Sequence, residues 1–166
     1  MSKTYFFDID GTLSVPIYEF EVEGEMQEKC CMSDNEWNKF ASNNAQAYSK
    51  CKVLPQVRKF LEDLKKSGAT LVVLSVENLK LLKIAKDEFV RCNFDDTFSK
   101  IVYVDCSSDK VPYIKQYAKN NNIPLEDCYL IEDTYQTLVE AVEVGINPIH
   151  ITNIVYDYTK EDYMER

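Results

Sequence analysis

Positive charge is scarce in this chain of 166 residues. The sequence holds 19 lysines and arginines against 28 aspartates and glutamates, which gives a formal net charge of −9 at pH 7. An extended contact with nucleic-acid phosphates needs clustered lysine and arginine, so we expect no nucleic-acid partner. A small phosphorylated molecule stays compatible with this charge, because it needs only one or two local cations and a metal ion.

Long apolar runs are also missing. No stretch reaches the roughly 18 consecutive apolar residues of a membrane-spanning helix, so we expect no membrane partner. The sequence begins almost directly with a strand-like segment, without the basic and then apolar leader of a signal peptide. We therefore expect a cytoplasmic protein.

Paired metal-binding or disulfide motifs are absent as well. The six cysteines include no pair at C-x-x-C spacing, and the single histidine is His150. Zinc sites and disulfide frameworks show tighter, paired spacing, so we expect reduced thiols, several of them packed as small hydrophobic residues. A structural metal held by Cys30, Cys31 and Cys51 stays an alternative.

Strand-like and helix-like segments alternate along the chain. Apolar runs rich in β-branched and aromatic residues predict strands over residues 4–9, 70–74, 101–104, 128–131 and 148–151. Helical periodicity with proline and glycine boundaries predicts helices over about 55–67, 77–89, 111–120 and 135–144. This alternation predicts an α/β fold, with a Rossmann-like parallel sheet of about five strands and helices on both faces. We expect one domain over residues 1–166, and the tail after Val155 is not assigned.

Residues 14–52 form an insert between the first strand and the rest of the predicted sheet. Its first half is acidic, and hydrophobic residues alternate with glutamates there, which indicates one short exposed strand or an extended loop. Ser33 and Glu36 have the spacing of a capping box, and a rough helical face runs from Trp37 to Tyr48. We interpret the insert as a small cap or lid over the mouth of a site, with an ordinary connection as the alternative.

Two carboxylates, Asp8 and Asp10, end the first predicted strand, and Gly11 then allows a sharp turn. Residues i and i+2 of a strand point to one face, so both acids flank one site, at the sheet edge where α/β proteins bind ligands. A divalent cation offsets their repulsion, and Mg²⁺ prefers oxygen ligands. A simple turn and a calcium loop are the alternatives, but the calcium loop needs a glutamate where this chain has Ile17.

Polar residues also follow two other predicted strands. Ser75 comes directly after the second strand of the sheet, and Glu132 and Asp133 come directly after the fourth. Lys110 stands at the start of the helix that precedes this fourth strand. Each feature is weak alone, because serine often caps a helix and acidic residues are favoured at helix N-termini.

Taken in this order, the segments resemble the four motifs of the haloacid dehalogenase-like hydrolase superfamily, from residue 4 to about residue 151. The run from Asp8 to Leu13 is similar to the family's first motif, and the passage from Lys110 to Asp133 is similar to the later ones. The family's sheet places its first strand centrally, between the second and the fourth. Most members are Mg²⁺-dependent phosphatases, so the resemblance implies that activity and Mg²⁺ as the cofactor.

The resemblance also implies roles for single residues. Asp8 is the implied nucleophile that forms an aspartyl-phosphate, and Asp10 is the implied general acid/base. Four residues are implied to contact the phosphate group: Gly11, Thr12, Ser75 and Lys110. These roles agree with the physical needs of phosphoryl transfer, which are positioning and neutralisation of charge. An acid at Asp10 favours hydrolysis or mutase chemistry over dehalogenation.

The metal set implied by the resemblance consists of Asp8, Asp10 through its backbone carbonyl, and Asp133, with Glu132 acting through a bound water. The chain departs from the family after these acids, because it has Thr134 and Thr137 where relatives often have serine and a further small or acidic residue. Lys100 is a rival for the role of Lys110, but it precedes the third strand. We therefore prefer Lys110.

The expected function is hydrolysis of a phosphate monoester, with a small phosphorylated metabolite as the substrate. A polynucleotide 3′-phosphatase is an alternative, because the insert with Trp37 and the segments leading to Ser75 faintly resemble such domains, although the acidic charge argues against it. A phosphomutase is another, but it needs a cap that excludes water, and the insert is small for that.

An alternative from another class is a non-catalytic, regulatory or binding domain that keeps the fold. The presence of both Asp10 and Lys110 weighs against it, because binding alone needs neither. With so small a cap, relatives either accept large substrates or close the mouth of the site by forming a homo-oligomer. The sequence leaves both arrangements open.

Overall fold

The computed structural model describes residues 2–14, 19–22, 25–28, 33, 35–36, 39, 48 and 51–164. Its strands are β1 (Thr4–Phe7), β2 (Glu19–Val22), β3 (Glu25–Glu28), β4 (Thr70–Val76), β5 (Lys100–Val104), β6 (Cys128–Glu132) and β7 (Asn147–His150). Its α-helices are α1 (Pro55–Lys66), α2 (Lys80–Phe94), α3 (Lys110–Asn120), α4 (Tyr135–Glu143) and α5 (Ile151–Met164). Short 3₁₀ turns precede β5, α3 and β6.

Five of the strands form one parallel sheet in the order β5-β4-β1-β6-β7. Strand β1 lies in the centre, with Phe7 aligned to Val73 of β4 and to Ile131 of β6. All four residues of β1 are buried, because a central strand is covered on both faces. The predicted α/β class and the central position of the first strand are confirmed.

The helices cover both faces of the sheet, as the alternating pattern predicts. On one face, Phe7 and Val73 pack in a core with apolar residues of α1, α2 and α5. On the other face, Phe6 and Val72 pack with apolar residues of α3 and α4. Because side chains alternate along a strand, one short apolar strand supplies both cores. The two cores make the sheet a rigid scaffold. This scaffold fixes the positions of the loops that follow its strands.

Several boundaries differ from the sequence-based prediction. Strand β1 ends at Phe7 rather than at residue 9, because residues 9–14 form a hydrogen-bonded turn, so Asp8 and Asp10 lie after the strand. Strands β4 and β6 extend to Val76 and Glu132, so Ser75 and Glu132 lie inside their strands rather than after them. Helix α2 begins at Lys80 rather than near Glu77, because Leu79 is extended and its N–H donates to the Glu77 carboxylate at 2.8 Å. The same helix continues to Phe94, whose side chain is buried. Ile151 begins α5 instead of ending a strand, and α5 accounts for the unassigned tail.

Helix α5 is tied to α1 by polar contacts as well as by the core. The Gln56 amide donates to Thr159 at 3.0 Å, and the Tyr158 hydroxyl donates to Asp63 at 2.9 Å. Ile154 is buried between the two helices and the sheet. The C-terminal segment is therefore a packed part of the fold.

The insert contains more strand than expected. Strands β2 and β3 pair antiparallel as a hairpin, where one strand-like segment is predicted. The expected capping box is confirmed, since the Glu36 N–H donates to the Ser33 hydroxyl at 3.4 Å and the Glu36 carboxylate accepts from the Ser33 N–H at 2.8 Å. Trp37 and most of the predicted helical face lie outside the described residues. The boundaries of the insert and its role as a lid stay predictions.

None of the helices within the described part of the chain is both long enough and apolar enough to span a membrane. The cytoplasmic location stays a prediction. Cys92, Cys106 and Cys128 carry free thiols, and Cys128 is buried as a small hydrophobic residue. Cys30 and Cys31, and with them the alternative of a structural metal, lie outside the residues that the structure describes.

Candidate active site

The carboxyl ends of β1, β4 and β6 meet at a pocket of about 510 Å³. Because the three strands are parallel and in register, the residues that follow them lie at the same edge of the sheet. The pocket is lined by most of the residues predicted for the site: Asp8, Asp10, Lys110, Glu132 and Asp133. Ser75 is buried directly before the lining residue Val76. Five of the predicted residues thus lie together at this pocket, whereas Ser75, Gly11 and Thr12 are not among the residues that line it.

Lys110, the first residue of α3, is buried between two carboxylates. Its Nζ lies 2.9 Å from Asp8 Oδ1 and 2.5 Å from Glu132 Oε2. Burial lowers the pKa of the Lys110 ammonium, but the two carboxylates outweigh burial, so its pKa lies above the ordinary value. Lys100 is exposed at the start of β5, with its Nζ 6.0 Å from the Tyr113 ring centroid. The preference for Lys110 over Lys100 agrees with these positions.

The acidic residues form a cluster that suits a hard cation. Carboxylate oxygens of Asp8, Glu132 and Asp133 all lie within 4.8 Å of one another. Burial, followed by the neighbouring acids, raises the pKa of Asp8 against the opposing effect of Lys110, and the pKa of Glu132 is raised mainly by burial. One lysine thus leaves negative charge uncompensated, and an oxygen donor set of this kind fits Mg²⁺.

Glu132 is already occupied by hydrogen bonds. Its Oε2 accepts from Lys110, and its Oε1 accepts from the backbone N–H groups of Asp133 at 3.1 Å and Thr134 at 3.3 Å. A carboxylate held in this way orients the lysine and the loop that carries Asp133. This arrangement is compatible with the predicted indirect role of Glu132 toward a metal ion, and it leaves Asp8 and Asp133 as the more available ligands.

Gly11 lies opposite the Asp133 side chain, at a position that requires glycine. Gly11 has φ +77°, and a Cβ atom built there would collide with the Asp133 carboxylate. On the other side, His150 Nε2 lies 3.0 Å from the Asp133 carbonyl oxygen, to which it donates. His150 Nδ1 then accepts from Thr152, so both ring nitrogens of this histidine take part in hydrogen bonds within the fold.

Gly11 and Thr12 are predicted to contact phosphate, but in this structure their backbone N–H groups form hydrogen bonds within the chain. The Gly11 N–H donates to Ser14 O at 3.1 Å, and the Thr12 N–H donates to Ile9 O at 3.2 Å. Both groups therefore close the turn after Asp10. Their shaping of the turn agrees with the prediction, and a phosphate contact through these N–H groups stays a prediction.

Sequence reasoning missed a second buried lysine at the site. Lys86 of α2 has a side chain that is 1% exposed, and its Nζ lies 2.9 Å from Asp10 Oδ2 and 3.5 Å from Glu77 Oε2. It also donates to the Val76 carbonyl at 2.9 Å. Burial lowers the pKa of Lys86, but Asp10 and the other nearby acids outweigh burial and raise it. The signal for this residue is its spacing, since it falls on the buried stripe of α2 four residues after Leu82.

Tyr48 was also missed as a site residue. Its hydroxyl donates to Asp10 Oδ1 at 2.8 Å, and the residue is 4% exposed. The sequence pattern predicts Tyr48 on a helical face of the insert, without a link to the acids, whereas in the structure Tyr48 lies in a turn. Because Tyr48 belongs to residues 14–52, the insert contributes directly to the surroundings of Asp10.

Comparison with known proteins agrees with the fold. A family model described as haloacid dehalogenase-like hydrolase matches residues 9–151. A haloacid dehalogenase-like family hydrolase from Streptococcus pneumoniae is similar in structure, with a TM-score of 0.56, 18% identity, and coverage of 95% of this chain and 90% of that chain. A relative from Xanthomonas campestris has a TM-score of 0.60 and 11% identity, with coverage of 90% and 82%.

A third similar structure is the N-terminal part of a Bacteroides fragilis protein, which contains a phosphatase domain and is complexed with Mg. It has a TM-score of 0.55 and 17% identity, and the match covers 89% of this chain and 35% of that chain. The search of curated proteins found no match. At these identities the solved structures establish the fold alone.

The parallel sheet with acids and a buried lysine at its carboxyl edge defines an α/β protein with an acidic, hydrolase-like site. The family model covers most of the chain, from residue 9 to residue 151, and includes Asp10, Lys110 and Asp133, while Asp8 immediately precedes the matched range. The chain belongs to the haloacid dehalogenase-like hydrolase family.

We expect Mg²⁺ to stabilise the fold. A cation that binds only the folded state at about 100 times its Kd contributes roughly 2.7 kcal/mol. For a domain of this size that corresponds to a rise in Tm of about 5–10 °C. Thermal unfolding in MgCl₂ and in NaCl of equal ionic strength measures this shift. The shift should shrink in Asp133→Asn, and equal Tm values in the two salts would argue against a cation site.

Proposed function

We propose that this protein is a Mg²⁺-dependent phosphatase that hydrolyses a phosphate monoester of a small metabolite through an aspartyl-phosphate on Asp8. The observation that carries the proposal is the position of the Lys110 ammonium, 2.9 Å from Asp8 Oδ1 in a pocket at the edge of the sheet. A buried cation beside a carboxylate nucleophile offsets the repulsion between that carboxylate and an incoming phosphate.

The first step transfers the phosphoryl group to the enzyme. An oxygen of Asp8 attacks phosphorus, and the bond between phosphorus and the leaving-group oxygen breaks. Asp10 gives a proton to that oxygen, so the leaving group departs as a neutral alcohol. Lys110 and the Ser75 hydroxyl are the groups assigned to the phosphoryl oxygens. Lys110 thereby neutralises part of the charge that the phosphoryl group brings.

The second step releases phosphate. Water attacks the phosphorus of the aspartyl-phosphate and gives its proton to Asp10, which regains the proton it donated. The bond between phosphorus and Asp8 breaks, and inorganic phosphate leaves. Mg²⁺, held by Asp8, Asp133 and the Asp10 carbonyl, would supply further neutralisation of the phosphoryl oxygens.

The chemistry of the pocket also bears on the substrate. Besides the acids of the site, its lining includes Glu77 and Asp105, while its two lysines are buried and already paired with carboxylates. A substrate with several phosphates would meet uncompensated negative charge there. These features favour a small monoester and give no support to the polynucleotide 3′-phosphatase alternative. The family membership and the phosphatase domain of the Bacteroides relative support a hydrolytic role.

The test is phosphate release from a panel of phosphorylated metabolites with one 3′-phosphorylated oligonucleotide, assayed with Mg²⁺ and with EDTA. We expect release from at least one small monoester, dependent on Mg²⁺. Release mainly from the oligonucleotide would replace the proposed substrate class. No release from any compound, by a protein to which Mg²⁺ gives no thermal stabilisation, would instead support a non-catalytic domain.

A further inference from the structure

The surroundings of Asp10 contain more donors than a simple acid/base needs. Lys86 Nζ lies 2.9 Å from Asp10 Oδ2, and the Tyr48 hydroxyl donates to Asp10 Oδ1 at 2.8 Å. The two donors come from different parts of the chain, namely helix α2 and the insert. Because they contact different oxygens of one carboxylate, together they fix the orientation of its plane.

Lys86 is itself held in place by the end of β4. Its ammonium donates to the Val76 carbonyl at 2.9 Å and lies 3.4 Å from the Ser75 hydroxyl. Glu77 faces it at 3.5 Å, and the other oxygen of Glu77 accepts the Leu79 N–H. A buried ammonium is costly unless oxygens surround it, so this cage keeps Lys86 in one position.

Tyr48 is held by packing. Its ring centroid lies 6.1 Å from that of Phe89 and 5.9 Å from Lys86 Nζ. Both donors of Asp10 therefore rest on α2, one through its own backbone and one through ring contact. The helix, which carries no residue of the predicted site, is the support for the acid/base.

We propose that Lys86 and Tyr48 are positioning residues that orient the Asp10 carboxylate for proton transfer. This inference rests on the proposed function, since it assumes that Asp10 moves protons on and off the leaving group and water. Neither residue is assigned a contact with the substrate. Their removal should therefore affect the steps that need a proton and spare the binding of substrate.

A comparison of substrates whose leaving groups differ in basicity distinguishes the positioning of Asp10 from a general disruption of the active site. An alkoxide leaves slowly unless it is protonated, whereas p-nitrophenolate leaves without a proton. We expect Lys86→Met to lower kcat for an alkyl phosphate by about 100-fold, with KM nearly unchanged. With p-nitrophenyl phosphate, only the second step needs Asp10. Rapid mixing of Lys86→Met with this substrate should therefore show a burst of one nitrophenolate per active site, released near the wild-type rate. Slow steady-state turnover should follow the burst.

Two further measurements keep the inference testable if Lys86→Met is unstable. Tyr48→Phe keeps the ring packing and removes only the hydroxyl, and we expect the same pattern with about a tenfold loss of kcat for the alkyl phosphate. Adding Lys86→Met to Asp10→Asn should cause no further loss, because both act through one carboxylate. Lys80→Met, an exposed change on the same helix, is the matched control.

The outcomes separate this inference from the proposed function. If the wild-type protein releases no phosphate, or releases it equally well in Asp8→Asn, the proposed function fails. If wild-type activity depends on Asp8 but Lys86→Met and Tyr48→Phe keep full activity, the positioning role alone is wrong. Equal losses on alkyl and aryl substrates in the first step, or additive losses with Asp10→Asn, would also overturn it.

Discussion

Replacing Asp8 by asparagine should abolish turnover while leaving the fold intact. Without a carboxylate nucleophile no aspartyl-phosphate forms, so we expect kcat to fall by about 10⁴-fold or more. Asparagine keeps the size of the side chain. Steady-state phosphate release with the best substrate of the panel measures the loss, and residual activity within tenfold of the wild type would contradict the nucleophilic role.

The stability of the same variant gives a second expectation. The pKa of Asp8 is raised, chiefly by burial, so its ionised form destabilises the folded state at pH values above that pKa. Asparagine removes this cost, while Lys110 keeps its pair with Glu132. We therefore expect the Tm of metal-free Asp8→Asn to equal or exceed that of the wild type. A Tm well below the wild-type value would mean that lost activity reflects lost structure.

Replacing Lys110 by methionine should damage both stability and activity. The change leaves Asp8 and Glu132 buried without their shared cation, and breaking a buried pair in this way costs about 3–5 kcal/mol. For a domain of this size the expected fall in Tm is about 6–20 °C. Thermal or denaturant unfolding in EDTA measures it.

Two comparisons isolate the electrostatic cause of that loss. Lys115→Met, an exposed change on the same helix, should alter stability by less than about 0.5 kcal/mol. Adding Glu132→Gln to Lys110→Met removes one uncompensated charge, so the double variant should regain part of the lost stability. If Lys110→Met is as stable as Lys115→Met, the buried ion pairs of Lys110 do not stabilise the fold.

The strand ends of the site were predictable because their signal is local. Asp8 and Asp10 follow an apolar run directly, and a parallel sheet brings every such strand end to one edge. The order of elements and the family motifs then identify Lys110, which reaches Asp8 from the first residue of α3. Local pattern, sheet topology and the resemblance to the family together are sufficient for this part of the site.

Lys86 and Tyr48 were harder to predict because their role depends on packing between distant segments. A lysine on an apolar helix stripe is ambiguous, since its long side chain can reach solvent or a buried acid. The distance from α2 to Asp10 decides between these, and the sequence does not contain that distance. The late start of α2 has a similar cause, because the Glu77 side chain competes for the Leu79 N–H.

The most direct test of the central claim is to trap the covalent intermediate. The enzyme is mixed with substrate and Mg²⁺, quenched within its first turnovers, and treated with borohydride, which reduces an aspartyl-phosphate to homoserine. Peptide mass spectrometry then locates the modified residue. We expect homoserine at position 8, dependent on both substrate and Mg²⁺. Modification of a different carboxylate, or continued phosphate release with Asp8 unmodified at every quench time, would contradict the account.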